Sequence, residues 1–435
     1  MSVWSLSTAS DSFKIKYGKL ADKVFNAGNP VTMQIASKND FVGKMLIDDN
    51  PLGFSGSVGS RVLPVPGVGN YANSILTSKK VYATVTVDRE SMKASSTTEG
   101  AFYKFMDQPV KDAMDSFDRN RSRMFFGDGS GILGYGSASA ADVTGAGTTG
   151  SPYIVNFVAA NFNEANFEER DLVQVVTGIT SLVTGAGGTA EGGDSTTNLL
   201  EVVAVDPVAR NISLVGTSAV LAALVAATDP LGAAAGIAMQ RSYQGDFTGL
   251  NLVSKLSAAY DAGTTGLTLY SIPLQRRWRM YVQDASAAAV TKAMLNSAAV
   301  QIEKRCGKAI TMIASSYEQF SKLLDLSEDQ KRYSVVLPAA PAFRKAQFGF
   351  EAVEYMTTSG PVPIIPDRMI KNSELWLLNK NYIEYRLRPE GAQWADEDGT
   401  VFLRDAADTY SARYACYGET FISPTFQGHI KNLAV

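Results

Sequence analysis

Histidine and cysteine are nearly missing: the 435 residues contain one histidine, His429, and two cysteines, Cys306 and Cys416. Any Ser-His-Asp or Cys-His device would have to be built around His429, and a zinc site using several imidazoles cannot be assembled. Two distant cysteines neither staple a chain of this length nor make a structural zinc site, so folding in a reducing cytoplasm is expected. An excess of one charge is also missing, since 40 Lys+Arg face 43 Asp+Glu for a formal net charge of -3. A dedicated nucleic-acid-binding factor draws affinity from many phosphate contacts and usually carries a basic excess, so only a local basic patch would restore that reading. Long apolar runs are absent too. Residues 1–30 carry no apolar export segment, and Ala219 to Ala227 is too short to span a bilayer. No membrane contact is expected.

What is present is material for a core, with 45% hydrophobic and 19% charged residues, which excludes a wholly disordered chain. Residues 1–50 read as an irregular arm. Residues 51–95 read as a long β-hairpin: Val81, Ala83, Val85 and Val87 alternate with Tyr82, Thr84, Thr86 and Asp88, with Ser60 to Val65 as the antiparallel partner and Pro66 to Lys80 as the tip. A hairpin of that length needs a neighbouring surface, in this chain or in another copy.

Residues 96–135 read as a long helix and its exit. Ser96 and Glu99 form a capping-box pattern, apolar residues recur from Phe102 to Met124, and Arg119, Arg121 and Arg123 close the C-terminal end. Asp115 and Arg119 are spaced to pair along the helix, and Pro109 predicts a kink or a break. Residues 136–250 read as short strands (Tyr153–Val158, Leu172–Val176, Leu199–Val205, Asn211–Val215) forming an inserted β-barrel or sandwich. Residues 251–435 read as α+β, with a helix from about Ala285 to Cys306 capped by Asp284 and stopped by Gly307. A helix opened by Ser315 follows, and then terminal strands.

No motif commits the chain to chemistry. Gly127-Asp128-Gly129-Ser130-Gly131 follows a helix and lacks a Gly-Lys-Ser/Thr ending, so it reads as a flexible helix exit and not as a phosphate loop. Asp396-Glu397-Asp398-Gly399 lacks the alternating acids of an EF-hand and reads as a hairpin turn. Paired carboxylates such as Glu168/Glu169 read as solvated faces. Cys306 reads as a packed structural cysteine. Gln275-Arg276-Arg277-Trp278-Arg279 mixes cations with an aromatic and suits either nucleic acid or, preferably, a contact between subunits, where Arg and Trp are enriched. No enzyme activity, cofactor or metal is expected.

Three stretches carry a resemblance. They are Gly69-Asn70-Tyr71-Ala72-Asn73-Ser74 through Val87-Asp88-Arg89-Glu90, then Glu99 to Leu133 with its Gly-Asp-Gly exit, and Gly399 to Phe402 with Tyr410 to Thr420. Their order resembles the major capsid proteins of tailed bacteriophages, with the HK97-type fold: N-terminal arm, extended hairpin loop, spine helix, peripheral and axial domains, here with an inserted β-rich subdomain. The resemblance implies an α+β shell subunit that self-assembles as hexamers and pentamers around double-stranded DNA. It implies portal and separate scaffolding partners, possible decoration proteins, non-specific DNA contact, synthesis in the host bacterial cytoplasm, and residence in the virion. The ribbon from Lys80 to Glu90 is expected to stand away from its own body. Residues expected at the assembly interface are Pro66, Tyr71, Lys79, Lys80, Phe102, Phe105, Arg119, Arg123, Arg276, Arg277 and Trp278. Some relatives join the loop to a neighbour by Lys–Asn crosslinks, and Lys79 and Lys80 lie near the loop, although no motif here requires that bond. The competing readings are an encapsulin-like compartment, a tail-tube, surface-layer or adhesin protein, and a carboxylate-dependent hydrolase.

Overall fold

The computed structural model describes residues 31–40, 45–48, 70–88, 90, 99–136, 143–157, 162–181, 183–184, 186–191, 198–227, 235–328, 353–357, 360–395, 401, 403–404 and 409–434. Ser60 to Val65, Pro66, Ser96 and Asp396 to Gly399 lie outside them, as do the side chains of Tyr71, Phe102 and Phe105.

Helix α1, Glu99–Phe126, has 28 residues, about 42 Å at 1.5 Å each, and runs through Pro109 without a break. It lies on a five-stranded sheet, the spine sheet. Ala36–Lys38 pairs parallel with Ile383–Trp394, which pairs antiparallel with Thr409–Ile422. Lys79–Asp88 pairs antiparallel with Thr409–Gly418 along all ten of its residues. The ribbon expected to project from the body is therefore laid onto it; among the described residues its partner is Thr409–Ile422, and the expected partner, Ser60 to Val65, lies outside them. The ribbon's alternation supplies the reason. Val85 and Val87 are buried and join Val110, Met114 and Phe117 of α1 in one apolar cluster with Tyr414 and Cys416, while Lys80, Tyr82, Thr84, Thr86 and Asp88 face out. Burying each valine contributes about 1.5–3 kcal/mol that a projecting ribbon would forgo. Phe117 meets Tyr414 edge-on, with ring centroids 4.9 Å apart.

The second sheet has eight strands, antiparallel at every pairing. Its path is Ile132–Tyr135, Gly236–Met239, Leu172–Thr177, Leu200–Asp206, Asn211–Gly216, Tyr153–Asn156 and Val143–Thr144, with Thr189–Ala190 added to Leu172–Thr177. Among the described residues this is one open sheet, where a barrel or a two-sheet sandwich was expected. Its core includes Val155, Val173, Leu200, Ile212 and Leu214. Helix α2, Ala219–Ala227, contributes the buried Leu221 to it. Ile132–Tyr135 and Gly236–Met239 bracket the insertion and hydrogen-bond to each other, so the chain leaves and re-enters at one place.

Helix α3, Leu250–Asp261, leads to a six-stranded mixed sheet: Tyr281–Asp284, Gly428–Lys431, Leu375–Leu378, Met312–Ser315, Gly360–Pro366 and Val353–Thr357. Helices α4, Lys292–Cys306, and α5, Tyr317–Glu328, supply Leu295, Ala298, Ile302, Phe320 and Leu323 to the core of this sheet. The cap of α4 is Thr291, whose hydroxyl accepts from Met294 N, and not Asp284. Asp284 closes a separate turn by accepting from Ser286 N at 2.8 Å. Gly307 ends α4 in the left-handed region, at φ 64. Ser316 sits before α5 and accepts from Gln319 N, one position beyond the expected cap. A further apolar cluster joins the sheets, from Val31 and Ile35 of the arm through Phe125 of α1, Val253 and Leu256 of α3, and Trp278 to Trp376 and Tyr385.

Candidate functional site

The C-terminal end of α1 is the junction of the molecule. Residues two apart on a helix point about 200° apart and residues four apart only about 40° apart, so Arg119 and Arg123 share a side that Arg121 does not. Arg119 donates to Asp171 Oδ1 at 2.9 Å and lies 2.5 Å from Glu168 Oε2, tying the helix to the inserted sheet. Arg123 pairs with Asp246 at 2.8 Å, with both side chains buried. Arg121 donates to Asp118 at 2.9 Å and lies over the Tyr385 ring of the spine sheet at 5.4 Å. Arg119 and Arg123 thus serve contacts within the chain and are buried in it; Arg119 also reaches away from the helix instead of back to Asp115.

The Gly-Asp-Gly exit is a buried hub, not a flexible exit. Asp128 is 6% exposed and Ser130 is fully buried. The Asp128 carboxylate accepts from Lys255 Nζ at 2.6 Å, from Tyr135 OH at 2.7 Å, and from Ser130 through both its backbone N–H and its hydroxyl. Burial alone would raise this carboxyl, but the Lys255 charge and these hydrogen bonds hold it at about 2. Gly131, at φ +77, passes so close to Ser242 that a Cβ would stand 2.1 Å from its carbonyl oxygen. Lys79 closes the same region: it donates to the carbonyls of Gly129 and Asp246 and lies 3.8 Å from Glu419 Oε2. Its ammonium is engaged inside the chain.

The lone histidine gathers a second buried set. Ser254 Oγ of α3 lies 2.6 Å from His429 Nδ1, and Glu374 Oε2 lies 3.7 Å from Nε2. The imidazole stacks on Trp376, with centroids 3.6 Å apart and planes 3° apart. Ser254 is 3% exposed and His429 2% exposed. These are the residue types of a hydrolytic triad; the sequence offers His429 as its one imidazole but nothing local that joins it to Ser254 or Glu374. Their burial between α3 and the mixed sheet closes the hydroxyl to a substrate, so the arrangement can bind a proton and pin two elements together. Burial lowers the pKa of His429, while Glu374, raised by burial but held by Lys371 and His429, stays at about 2. Cys306 and Cys416 are both free thiols; burial pushes Cys416 up to about 12 and also raises Cys306.

The outward surface holds the remaining expected positions. Lys80 is exposed, 5.8 Å from the Tyr417 ring, and Arg276 and Arg277 are exposed. Trp278 is 3% exposed and packs inward, into the core. The large apolar side chains that do face out include Ile75, Tyr82, Val208, Tyr317 and Met356. Of these, Tyr82 follows from the alternation of its strand, on the side it shares with Thr84 and Thr86; nothing in the sequence marks the others as exposed. Among the described residues no helix is long and apolar enough to cross a membrane, and no cluster of His, Cys, Asp and Glu is arranged to hold a metal ion.

Residues 222–400 match the family described as SU10 major capsid protein. The fold is similar to a chain of the cyanophage A-1(L) capsid asymmetric unit, with TM-score 0.51, 9% identity, and coverage of 92% of this chain and 91% of that one. A chain from Mycobacterium phage Patience aligns at TM-score 0.39 and 8% identity over 99% of this chain and 90% of that one. No curated protein matches the sequence.

Proposed function

We propose that this chain, a tailed-phage major capsid protein with the HK97-type fold, self-assembles as hexamers and pentamers into the icosahedral shell around a double-stranded DNA genome. The observation that carries this reading is the family match over residues 222–400, and the alignment of 92% of the chain with a phage capsid subunit supports it. In this reading α1 with the spine sheet forms the peripheral domain, the mixed sheet forms the axial domain, and the eight-stranded sheet is the insertion.

The physical design suits a shell. A closed shell repeats one contact many times, so each contact can be modest while each subunit must be stiff. The ion pairs of Arg119, Arg123 and Asp128 brace α1 against the inserted sheet and α3. Exposed Ile75, Tyr82, Tyr317 and Met356 supply apolar area for contacts between copies. Scaffolding, portal and decoration proteins are the further partners of this reading, and the host bacterial cytoplasm is the place of synthesis. Sedimentation of the purified protein over a concentration series, with and without a candidate scaffold, tests it. Discrete capsomers and shells are expected; one slow species at every concentration would overturn it.

A further inference from the structure

The tight turn Gln275 to Trp278, closed by Trp278 N donating to Gln275 O at 2.9 Å, sends Trp278 into the core and leaves Arg276 and Arg277 exposed. Beside it, Arg279 pairs with Asp261 and lies over the Tyr260 ring at 5.3 Å. From the last turn of α4, Arg305 donates to Met280 O at 3.3 Å and lies over the Tyr281 ring at 5.2 Å. Burial and then the nearby cations of Arg279 and Arg276 push the pKa of Arg305 down. Four arginines thus lie close together in a chain whose net charge is -3, with Asp261 pairing with one of them. Lys304 and Lys308, both exposed, flank Arg305 along the chain.

From this cluster we propose that Arg276, Arg277, Arg279 and Arg305 form the surface on which the shell subunit meets the phosphate backbone of duplex DNA, an inference that rests on the capsid reading. The alternative occupant, a second copy, was favoured by the aromatic in the motif. Trp278 faces the core, and among the described residues the aromatics left beside the patch, Tyr260 and Tyr281, are only partly exposed and lie under the guanidiniums of Arg279 and Arg305. The exposed large apolar residues, among them Ile75, Tyr82, Val208, Tyr317 and Met356, belong to other segments. What remains is planar, donor-rich guanidinium, the chemistry that grips phosphate oxygens two at a time. The tyrosine rings hold two of the four guanidiniums in place before any ligand arrives. The two exposed arginines give about two phosphate contacts per copy, with Arg279 and Arg305 behind them; such binding is weak and salt-sensitive, which suits a genome that must be both packed and released.

The test uses the full-length protein and a fluorescent random-sequence duplex of roughly 30 base pairs, titrated by anisotropy between about 50 and 200 mM salt, a range over which phosphate contacts weaken strongly. Arg276→Glu with Arg277→Glu is the variant; both positions are exposed, and a matching thermal melt verifies the fold. The variant is expected to bind at least about tenfold more weakly, with the slope of log K against log salt reduced by about two. Equal affinity and slope in the two proteins would overturn the assignment. So would unchanged DNA affinity with lost shell formation, scored by sedimentation of the same samples, because the patch would then join copies. Wild-type protein that binds the duplex through these arginines but forms no shell would support the surface and count against the capsid reading alone.

Discussion

Asp128 and Lys255, 127 positions apart in sequence, hold their charged atoms 2.6 Å apart where α1 gives way to the inserted sheet. One carboxylate there joins the helix exit, through Ser130, to the first strand of the insertion, through Tyr135, and to α3, through Lys255. Asp128→Ala removes the acceptor and leaves a partly buried ammonium and a tyrosine hydroxyl without it. The expected loss is about 3 kcal/mol, read as a lower midpoint in denaturant. A midpoint unchanged from wild type would contradict the hub.

The pH dependence separates two windows. Burial lowers the pKa of His429 in the folded state, so the unfolded chain takes up the proton first and stability falls as pH drops below about 6.5. The groups around it are Ser254, Trp376 and Glu374, with Lys371 and Lys431 nearby. Glu374 and Asp128, each held at about 2, contribute stability that is present above about pH 4.5 and is lost as pH falls toward 2. His429→Asn is expected to flatten the slope of stability between about pH 7 and 5 while keeping the steeper acid limb, because His429 is the only histidine in the chain. Denaturant midpoints measured at steps of pH check this, and an unchanged slope would refute it.

Alternate residues of Lys79–Asp88 are expected to separate folding from assembly. Val85→Asp places a carboxylate in the cluster with Met114 and Tyr414 and should cost more than about 4 kcal/mol. Thr84→Lys, on the exposed side, should change stability by no more than about 0.5 kcal/mol. Thermal melts of both variants decide whether the strand belongs to the body. Equal losses in the two would contradict the register with Thr409–Gly418.

Arg123→Met should act on the monomer. It strands Asp246 in a buried site, and breaking such a pair costs about 3–5 kcal/mol. Ile75→Asp, at a side chain that is 63% exposed, should leave the melt unchanged and lower the amount of assembled material. Measuring melting and sedimentation on both variants tests the division between bracing and contact residues. Normal folding with failed assembly in Arg123→Met would reverse it.

Local elements were legible in the sequence because local rules set them. The period of α1, the two-faced strand from Val81 to Asp88, the strands around Asp206-Pro207 and the stop at Gly307 all appear where periodicity and turn chemistry place them. Pairing partners were not legible. Nothing local links Lys79–Asp88 to Thr409–Gly418, more than three hundred residues away; the nearer partner read from the sequence, Ser60 to Val65, lies outside the described residues. Gly360–Pro366 was missed because its three prolines argue against a strand, yet it pairs on both sides. Charges were the hardest to place. Arg119, Arg123 and Lys79 look like surface cations in sequence, and their acceptors come from other segments.

Electron microscopy of the purified protein under assembly conditions tests the central claim most directly. Closed shells of uniform diameter, built from sixfold and fivefold clusters of this chain, are the predicted result. Particles that remain single subunits in every condition tried, with the melt of a folded protein, would contradict it.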